Sequence, residues 1–530
     1  MARDAEPVFV AGAWRPADMA GTFRAIDPTT GREHETVWPV SRWSDVHAAL
    51  EAAAEAAADL GRLPDAQRGD FLRRYAARLE AAARDLVAVA ARESGLAVRP
   101  RLADVELPRM LDQLRQAAAA ATEGTWRMAM IDSVRNIRSQ AVGLGPVVVF
   151  PPGNFPLAYG AVTGGDFAAA IAAGNPVIAK AHPALPGVSR LAAELAADAM
   201  RETGLPAATV QLLHGLAPDD GERLVADPRV GASGFTGGEA AGRRLLAAAA
   251  AGGRVMWAEM GSVNPVVLLS GALAARGGEI AGELAASVTG SAGQLCTKPG
   301  LVFVVGDAAG RAFIAALAER FGTVGPQVLL GPAGTTRFDA AVAGLRAAGA
   351  TPLVGVIGPV PGSGPCARLP MLLECSGAEF LRRPDAFVVE AFGNATLLVT
   401  CADIAELSRA VLHVRGALAA SVYLAAGDEA AWVPLARVLV ERSGRVVENR
   451  MPTGLAVTPP MQHGGPWPSA TPPFFTAVGM PWSILRFARR VCLDGWSQEH
   501  LPEMLRDAVP EGRPWRFIDG AWTRGAVTPA

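Results

Sequence analysis

The chain has 530 residues, half of them hydrophobic and 19% charged, with 49 Lys and Arg against 51 Asp and Glu for a net charge of −2. That length holds two or three domains with sizeable cores, and the near-neutral balance with dispersed arginines argues against a nucleic-acid-binding surface. No run reaches the roughly 20 apolar residues of a membrane span, and no secretory leader follows the acidic start "MARDAEPVF". Five cysteines without a CxxC pair and seven dispersed histidines without a ligand spacing predict a cytoplasmic protein with no disulfide scaffold and no metal site.

In chain order, "VFVAGAWRPA" reads as a hairpin and "DPTTG" as a turn. Residues 42–122 read as two or three helices, with Ser44 and Asp45 as a cap for the first. The alternating, β-branched stretch "TWRMAMIDSVRNIRSQAVG" predicts a two-stranded arm. From 145 to 270, short apolar runs ("GPVVVF", "NPVIAK", "ATVQLLH", "VGASGFTG", "RVMWAEM", "NPVVLLS") alternate with alanine-rich helical segments. This is the pattern of a doubly wound α/β domain, whose ligands sit at strand C-terminal ends. A second alternating block spans about 275–450, with "GLVFVVG", "AFVVEAF", "ATLLVT" and "ASVYLAAG" as strands. Beyond 451 the prolines rule out long helices.

Several strand ends carry reactive residue types. Asn154, in "PPGNFPLA", is an amide presented at a turn after a strand. It suits an oxyanion donor, or simply a helix cap. Lys180 ends the next strand, and it and Lys298 are the only lysines in an arginine-rich chain. A compact ammonium there suits a ribose hydroxyl or a phosphate. In "GFTGGEAAGRRL", Phe235 ends a strand, and Gly237 and Gly238 open a helix whose N-terminus favours an anion, although a plain strand-to-helix turn has the same look. Glu259, in "VMWAEMGSVNP", is a partly desolvated carboxylate at a strand end, suited to general-base work or lying on the surface. Cys296, in "AGQLCTKPG", follows a helix and a Gly-containing turn. It is a presented nucleophile or a buried core thiol. Glu390 and Phe392, in "VVEAFGN", read as an acid and an aromatic at a strand end, fit for a ribose and a ring or for the core.

The series "GNFPLA", "NPVIAKAHP", "GFTGG", "AEMGSVNP", "GQLCTKPG", "EAFGN" and "PTG", in this order over residues 145–454, resembles the aldehyde dehydrogenase superfamily. The variants "GGDFAAAIAAGNPVIAKAHPALPG", "EMGSVNP" and "MQHGGPWPSAT", with the C-terminal extension, are similar to its α-ketoglutaric semialdehyde (2,5-dioxopentanoate) dehydrogenases. The resemblance implies two doubly wound α/β domains plus a β-arm. Residues 1–124 and 143–270 would bind the cofactor and 271–455 would carry catalysis. Residues 125–142 and 456–530 would form an arm and a C-terminal extension that pair subunits into a homodimer or homotetramer.

It also implies that Cys296 attacks an aldehyde while Asn154 and the Cys296 backbone N–H hold the oxyanion. Glu259 would then activate the water that hydrolyses the thioester. Lys180, His182, Pro152, Phe235, Gly237, Gly238, Glu390 and Phe392 would line the cofactor site. Four departures from the family pattern stand out. They are Gly238 for the usual Ser, Asn394 for the usual Pro, "PPGNFP" for "GASNFP", and Pro183 where NAD-preferring members carry Glu. Without that Glu, NADP is the expected cofactor, with some use of NAD, and Lys180 or His182 would pair with its 2′-phosphate. The rival readings are a CoA-acylating reductase, a dehydrogenase for another semialdehyde or a fatty or aromatic aldehyde, and a non-catalytic binding protein.

Overall fold

The computed structural model describes residues 5–528 as a mixed α/β protein built on two large sheets and a five-stranded one, with a three-stranded and a two-stranded sheet beside them. The first sheet has eight strands. Its parallel centre runs in the spatial order Val210–Leu213, Val177–Lys180, Val147–Phe150, Ala232–Thr236, Val255–Glu259. The order reverses between Val147–Phe150 and Ala232–Thr236, so a crevice opens beyond the C-terminal ends of those two strands. Antiparallel edges close the sheet: the hairpin Val8–Val10 with Ala13–Arg15 on one side, and Ala470–Thr471 on the other.

The strand residues alternate between two cores, as a sheet covered on both faces requires. Val147 and Val149 pack with the helices Asp65–Ala81, Leu107–Glu123, Gly165–Ala172 and Pro186–Thr203. Val148, Ile178 and Leu213 face the other way, onto the helix Trp43–Leu60. Each such apolar side chain contributes about 1.5–3 kcal/mol on burial.

The second sheet has seven strands, six of them parallel, with Asn264–Leu268 and Pro299–Val305 adjacent near its centre. The same alternation recurs there: Leu301, Phe303 and Val305 enter one core, Val302 and Val304 the other. The five-stranded sheet joins Met130–Asp132 and Ile137–Gly143 to three C-terminal strands, Ala488–Asp494, Arg516–Ile518 and Ala521–Thr523. The expected two-stranded arm is therefore part of a five-stranded sheet, because the extension supplies the partners its edges lack. No helix among the described residues is long and apolar enough to cross a membrane.

Three local expectations are corrected. Residues 42–122 hold four α-helices rather than two or three, with an irregular turn at Val98–Glu106 before the last. The first helix starts at Trp43 and has no side-chain cap; Ser44 Oγ bonds Asp18 Oδ2 instead, and Asp45 is buried against Arg15. "AFVVEAF" is not a strand. Pro384–Phe387 is one helical turn, started by its proline, and Glu390 sits in the loop before Ala395–Cys401.

Candidate active site

Glu259 ends the last parallel strand of the first sheet, and Cys296 precedes Pro299–Val305 of the second. The two sheets thus face each other across the site, C-terminal edge to N-terminal edge. The chain reaches Cys296 through the helix Ser270–Thr289 and the tight turn Gly290–Gly293. Gly293 has φ +68°, and a Cβ there would lie 2.1 Å from the Gly393 carbonyl oxygen, so this close approach admits only glycine.

Asn264 braces the thiol-bearing loop. Its Nδ2 donates to the carbonyls of Cys296 and Lys298, both at 2.9 Å, while its Oδ1 accepts from Ser262 Oγ and the Ala419 N–H. Lys298 is 4% exposed and spends its ammonium on the carbonyls of Ala391, at 3.0 Å, and Ala395, at 2.5 Å. It neither contacts substrate space nor pairs with the thiol. It ties the Cys296 loop to the segment that carries Glu390. Burial pulls its pKa down to about 8 against the pull of Glu390.

Cys296 is partly exposed, while Cys366, Cys375 and Cys401 are buried. Burial and the Glu259 carboxylate push the Cys296 thiol well above its ordinary value, and Arg109 pulls it down. Asn154 is buried beside it. One Nδ2 proton of Asn154 goes to the Gln294 carbonyl at 2.9 Å, which aims the amide and leaves its second N–H free.

Residue-by-residue reading of the sequence missed His463. This imidazole is 2% exposed, and its Nε2 lies 3.4 Å from Cys296 Sγ and 3.4 Å from Glu259 Oε2. Its one local signal is a histidine opening the Gly-Gly turn of "MQHGGPW". It sits 167 positions beyond Cys296, so no spacing rule finds it.

Cys296 and His463 line a cavity of about 930 Å³ with Phe155, Tyr159, Arg101 and Arg109. Arg101 is committed: it pairs with the fully buried Glu106 at 2.6 Å and donates to Ser291 Oγ and the Asn154 carbonyl. Arg445, the other guanidinium whose charge reaches Cys296, donates to the carbonyls of Gly454 and Pro452. Arg109 differs. Its Nη2 donates to Tyr159 Oη at 2.7 Å, but its buried Nε has no partner.

A second cleft, of about 310 Å³, opens at the crevice of the first sheet, lined by Phe150, Pro151, Lys180, His182, Phe235 and Arg244, among others. Its place at the strand reversal, with Lys180 on its wall, suits the adenosine end of a dinucleotide. Lys180 has no carboxylate partner among the described residues, and burial lowers its pKa to about 8. Gly238 caps the helix Glu239–Ala251, and a Cβ there would meet nothing within 4 Å, so the helix N-terminus is open to an anion. Pro151 lines this cleft, whereas Pro152, next in the chain, is buried and does not.

His182 departs from expectation as a phosphate partner. Its Nδ1 accepts from the Ala184 N–H, and burial and Lys180 push its pKa down to about 3, so the ring is neutral. Glu390 accepts from the Ser262 N–H at 3.0 Å, in the turn after Glu259, and burial lifts its pKa to about 7. Phe392 is half-buried. Asn394 is a structural residue: it is fully buried, with Nδ2 on Gln327 Oε1 and the Arg368 carbonyl.

Residues 14–471 match the family model described as the aldehyde dehydrogenase family. Alpha-ketoglutaric semialdehyde dehydrogenase 2 of Azospirillum brasilense is 38% identical over 96% of this chain and 98% of its own length. Alpha-ketoglutaric semialdehyde dehydrogenase of Acinetobacter baylyi is 32% identical over 96% of this chain and 97% of its own. Among solved structures, lactaldehyde dehydrogenase from Escherichia coli superposes with a TM-score of 0.80 at 21% identity, covering 92% of this chain and 98% of that one. Aldehyde dehydrogenase C from Pseudomonas syringae, solved with NAD+ and octanal, gives 0.78 at 20% identity, covering 94% and 98%.

Proposed function

The chain belongs to the aldehyde dehydrogenase family of oxidoreductases, and from that premise we propose that it oxidises a short aldehyde bearing a carboxylate, α-ketoglutaric semialdehyde foremost, to the acid. The observation that carries the substrate is Arg109. It lines the Cys296 cavity and, unlike Arg101, has no carboxylate partner among the described residues. A carboxylate at the far end of the substrate would pair with that guanidinium, and a neutral aldehyde would leave its charge unmatched. The names of the two full-length relatives point the same way.

In this reading, His463 Nε2, 3.4 Å from Sγ, takes the Cys296 proton, which leaves Glu259 ionised for the later hydrolysis. The thiolate then attacks the aldehyde carbon, forming the C–S bond. The second N–H of the Asn154 amide and the backbone N–H of Cys296 hold the resulting oxyanion. A bound nicotinamide dinucleotide supplies the acceptor for the hydride. Lys180 and the N-terminus of Glu239–Ala251 would hold its adenosine and phosphate end, and Glu390 would hold the ribose nearer the thiol. Glu259 next takes a proton from water. The hydroxide adds to the thioester carbonyl, the C–S bond breaks, and the acid leaves with the thiol restored. Glu259 favours this hydrolysis over transfer to CoA.

NADP is the preferred dinucleotide in this proposal. Pro183 offers no carboxylate to repel a 2′-phosphate, and Lys180 is the cation for it; the neutral His182 ring is not. Residues 1–124 with 143–270 form the cofactor unit and 271–455 the catalytic unit. Residues 125–142 and 456–530 pair subunits into a homodimer or homotetramer.

A substrate panel tests the reading. With purified protein and either dinucleotide, α-ketoglutaric semialdehyde should give the highest kcat/KM, ahead of succinic and glutaric semialdehydes. A lead by octanal or benzaldehyde would overturn it.

A further inference from the structure

We propose that Cys296, His463 and Glu259 form a binding site for a thiophilic divalent cation of the zinc type, and that a cation seated there reversibly blocks the thiol. The Cys296 Sγ, the His463 Nε2 and a carboxylate oxygen of Glu259 all lie within 4.8 Å of one another. Nε2 is 3.4 Å from Sγ and 3.4 Å from Oε2. Bond lengths of about 2.3 Å to sulfur and about 2.0–2.1 Å to nitrogen and oxygen set the edges of a tetrahedral zinc site at about 3.3–3.6 Å. Two edges already have that length without a metal.

The donor types select the metal. Thiolate, imidazole and one carboxylate suit zinc or cobalt, whereas magnesium and calcium need oxygen ligands. A second observation supports the site: Glu259 Oε2 is buried and makes no hydrogen bond, and its 3.4 Å approach to His463 Nε2 is an ion pair only when the imidazole is protonated. Charge agrees, since one thiolate and one carboxylate cancel a dication in a poorly solvated place. Arg109 is the cation that opposes binding, while Arg101 and Arg445 are already paired or capped. Cys296 and His463 line the large cavity, which provides an entry path and room for a fourth ligand, water or substrate oxygen. A cation held on Sγ occupies the lone pair that attacks an aldehyde, so the site is an off-state and not a cofactor site. It rests on the three side chains and holds whichever aldehyde the cavity accepts.

Cobalt(II) is the probe, added to the full-length enzyme after chelator treatment. A sulfur-to-cobalt charge-transfer band should rise to one equivalent per chain and be displaced by zinc. Cys296→Ser should abolish it. His463→Phe and Glu259→Gln should each weaken binding by about tenfold or more, and Cys492→Ser, at an exposed cysteine, should retain it. Zinc should slow iodoacetamide labelling of Cys296 in the parent and much less in His463→Phe, a readout that needs only a folded chain. Absence of a stoichiometric band, or one indifferent to both His463→Phe and Glu259→Gln, overturns the site. Turnover of semialdehydes without cobalt binding would sink this proposal and leave the proposed function standing; cobalt binding without turnover would do the reverse.

Discussion

The Asn264 amide reaches across 2.9 Å to the carbonyl of Cys296, so a residue at the start of one strand holds the chain just ahead of its neighbour. A second bond from the same nitrogen, to Lys298, makes the brace two-pronged. Asn264→Ala would strand two carbonyls and the Ala419 N–H in a buried setting. The expected cost is about 1–3 kcal/mol of stability, read by denaturant unfolding, with kcat reduced more than KM is raised. Unchanged stability would show that water takes over the brace.

Cys296 and Glu259 separate in time if their roles are as proposed. Cys296→Ser should remove dehydrogenase turnover. Glu259→Gln should keep a pre-steady-state burst of reduced nicotinamide and lose steady-state rate by about 10²–10⁴-fold. Stopped-flow absorbance distinguishes the two, and an intact steady state in Glu259→Gln would refute its assignment.

Arg109 is expected to set substrate class. Arg109→Leu should lower the kcat/KM ratio of α-ketoglutaric semialdehyde to butanal by about ten- to a hundredfold, the worth of a hydrogen bond to a charged group. An unchanged ratio would move the carboxylate contact elsewhere in the cavity.

Lys180 gives a pH signature. Burial holds its pKa at about 8, so the ammonium loses its charge as pH rises through that value. A 2′-phosphate binds the charged form. NADP affinity should therefore be level from pH 7 to about 8 and then weaken by up to about tenfold per further pH unit, while NAD affinity drifts little. Fluorescence titration of both dinucleotides between pH 7 and 9.5 checks this, and parallel NAD and NADP profiles would refute it.

Strands that alternate cleanly between two cores, such as Val147–Phe150 and Pro299–Val305, are legible because burial on both faces leaves a continuous apolar run. Cys296, Glu259 and Asn154 stand at the ends of such runs, beside glycines and prolines that mark the chain's exits, so their neighbourhood is legible too. What cannot be read locally is pairing over distance. His463 reaches the thiol only because the proline-rich segment after Glu448 returns to the first sheet. Lys298, scarce enough to look functional, is consumed by two backbone carbonyls, a use that no pattern of side chains announces. "AFVVEAF" looks like a strand by composition, but Pro384 starts a helical turn within reach and Glu390 is needed beside Ser262.

The chain passes between the two large sheets at only two places among the described residues: from Glu259 to Asn264, and from Glu448 back to Ala470. One crossing begins at Glu259 and the other carries His463. Base and imidazole are thus carried by the two connections between the sheets, while the thiol belongs to the second sheet's side. The distances among the three are therefore set by how the two sheets are seated against each other, and a substitution at that seam reaches the chemistry without touching any of the three side chains.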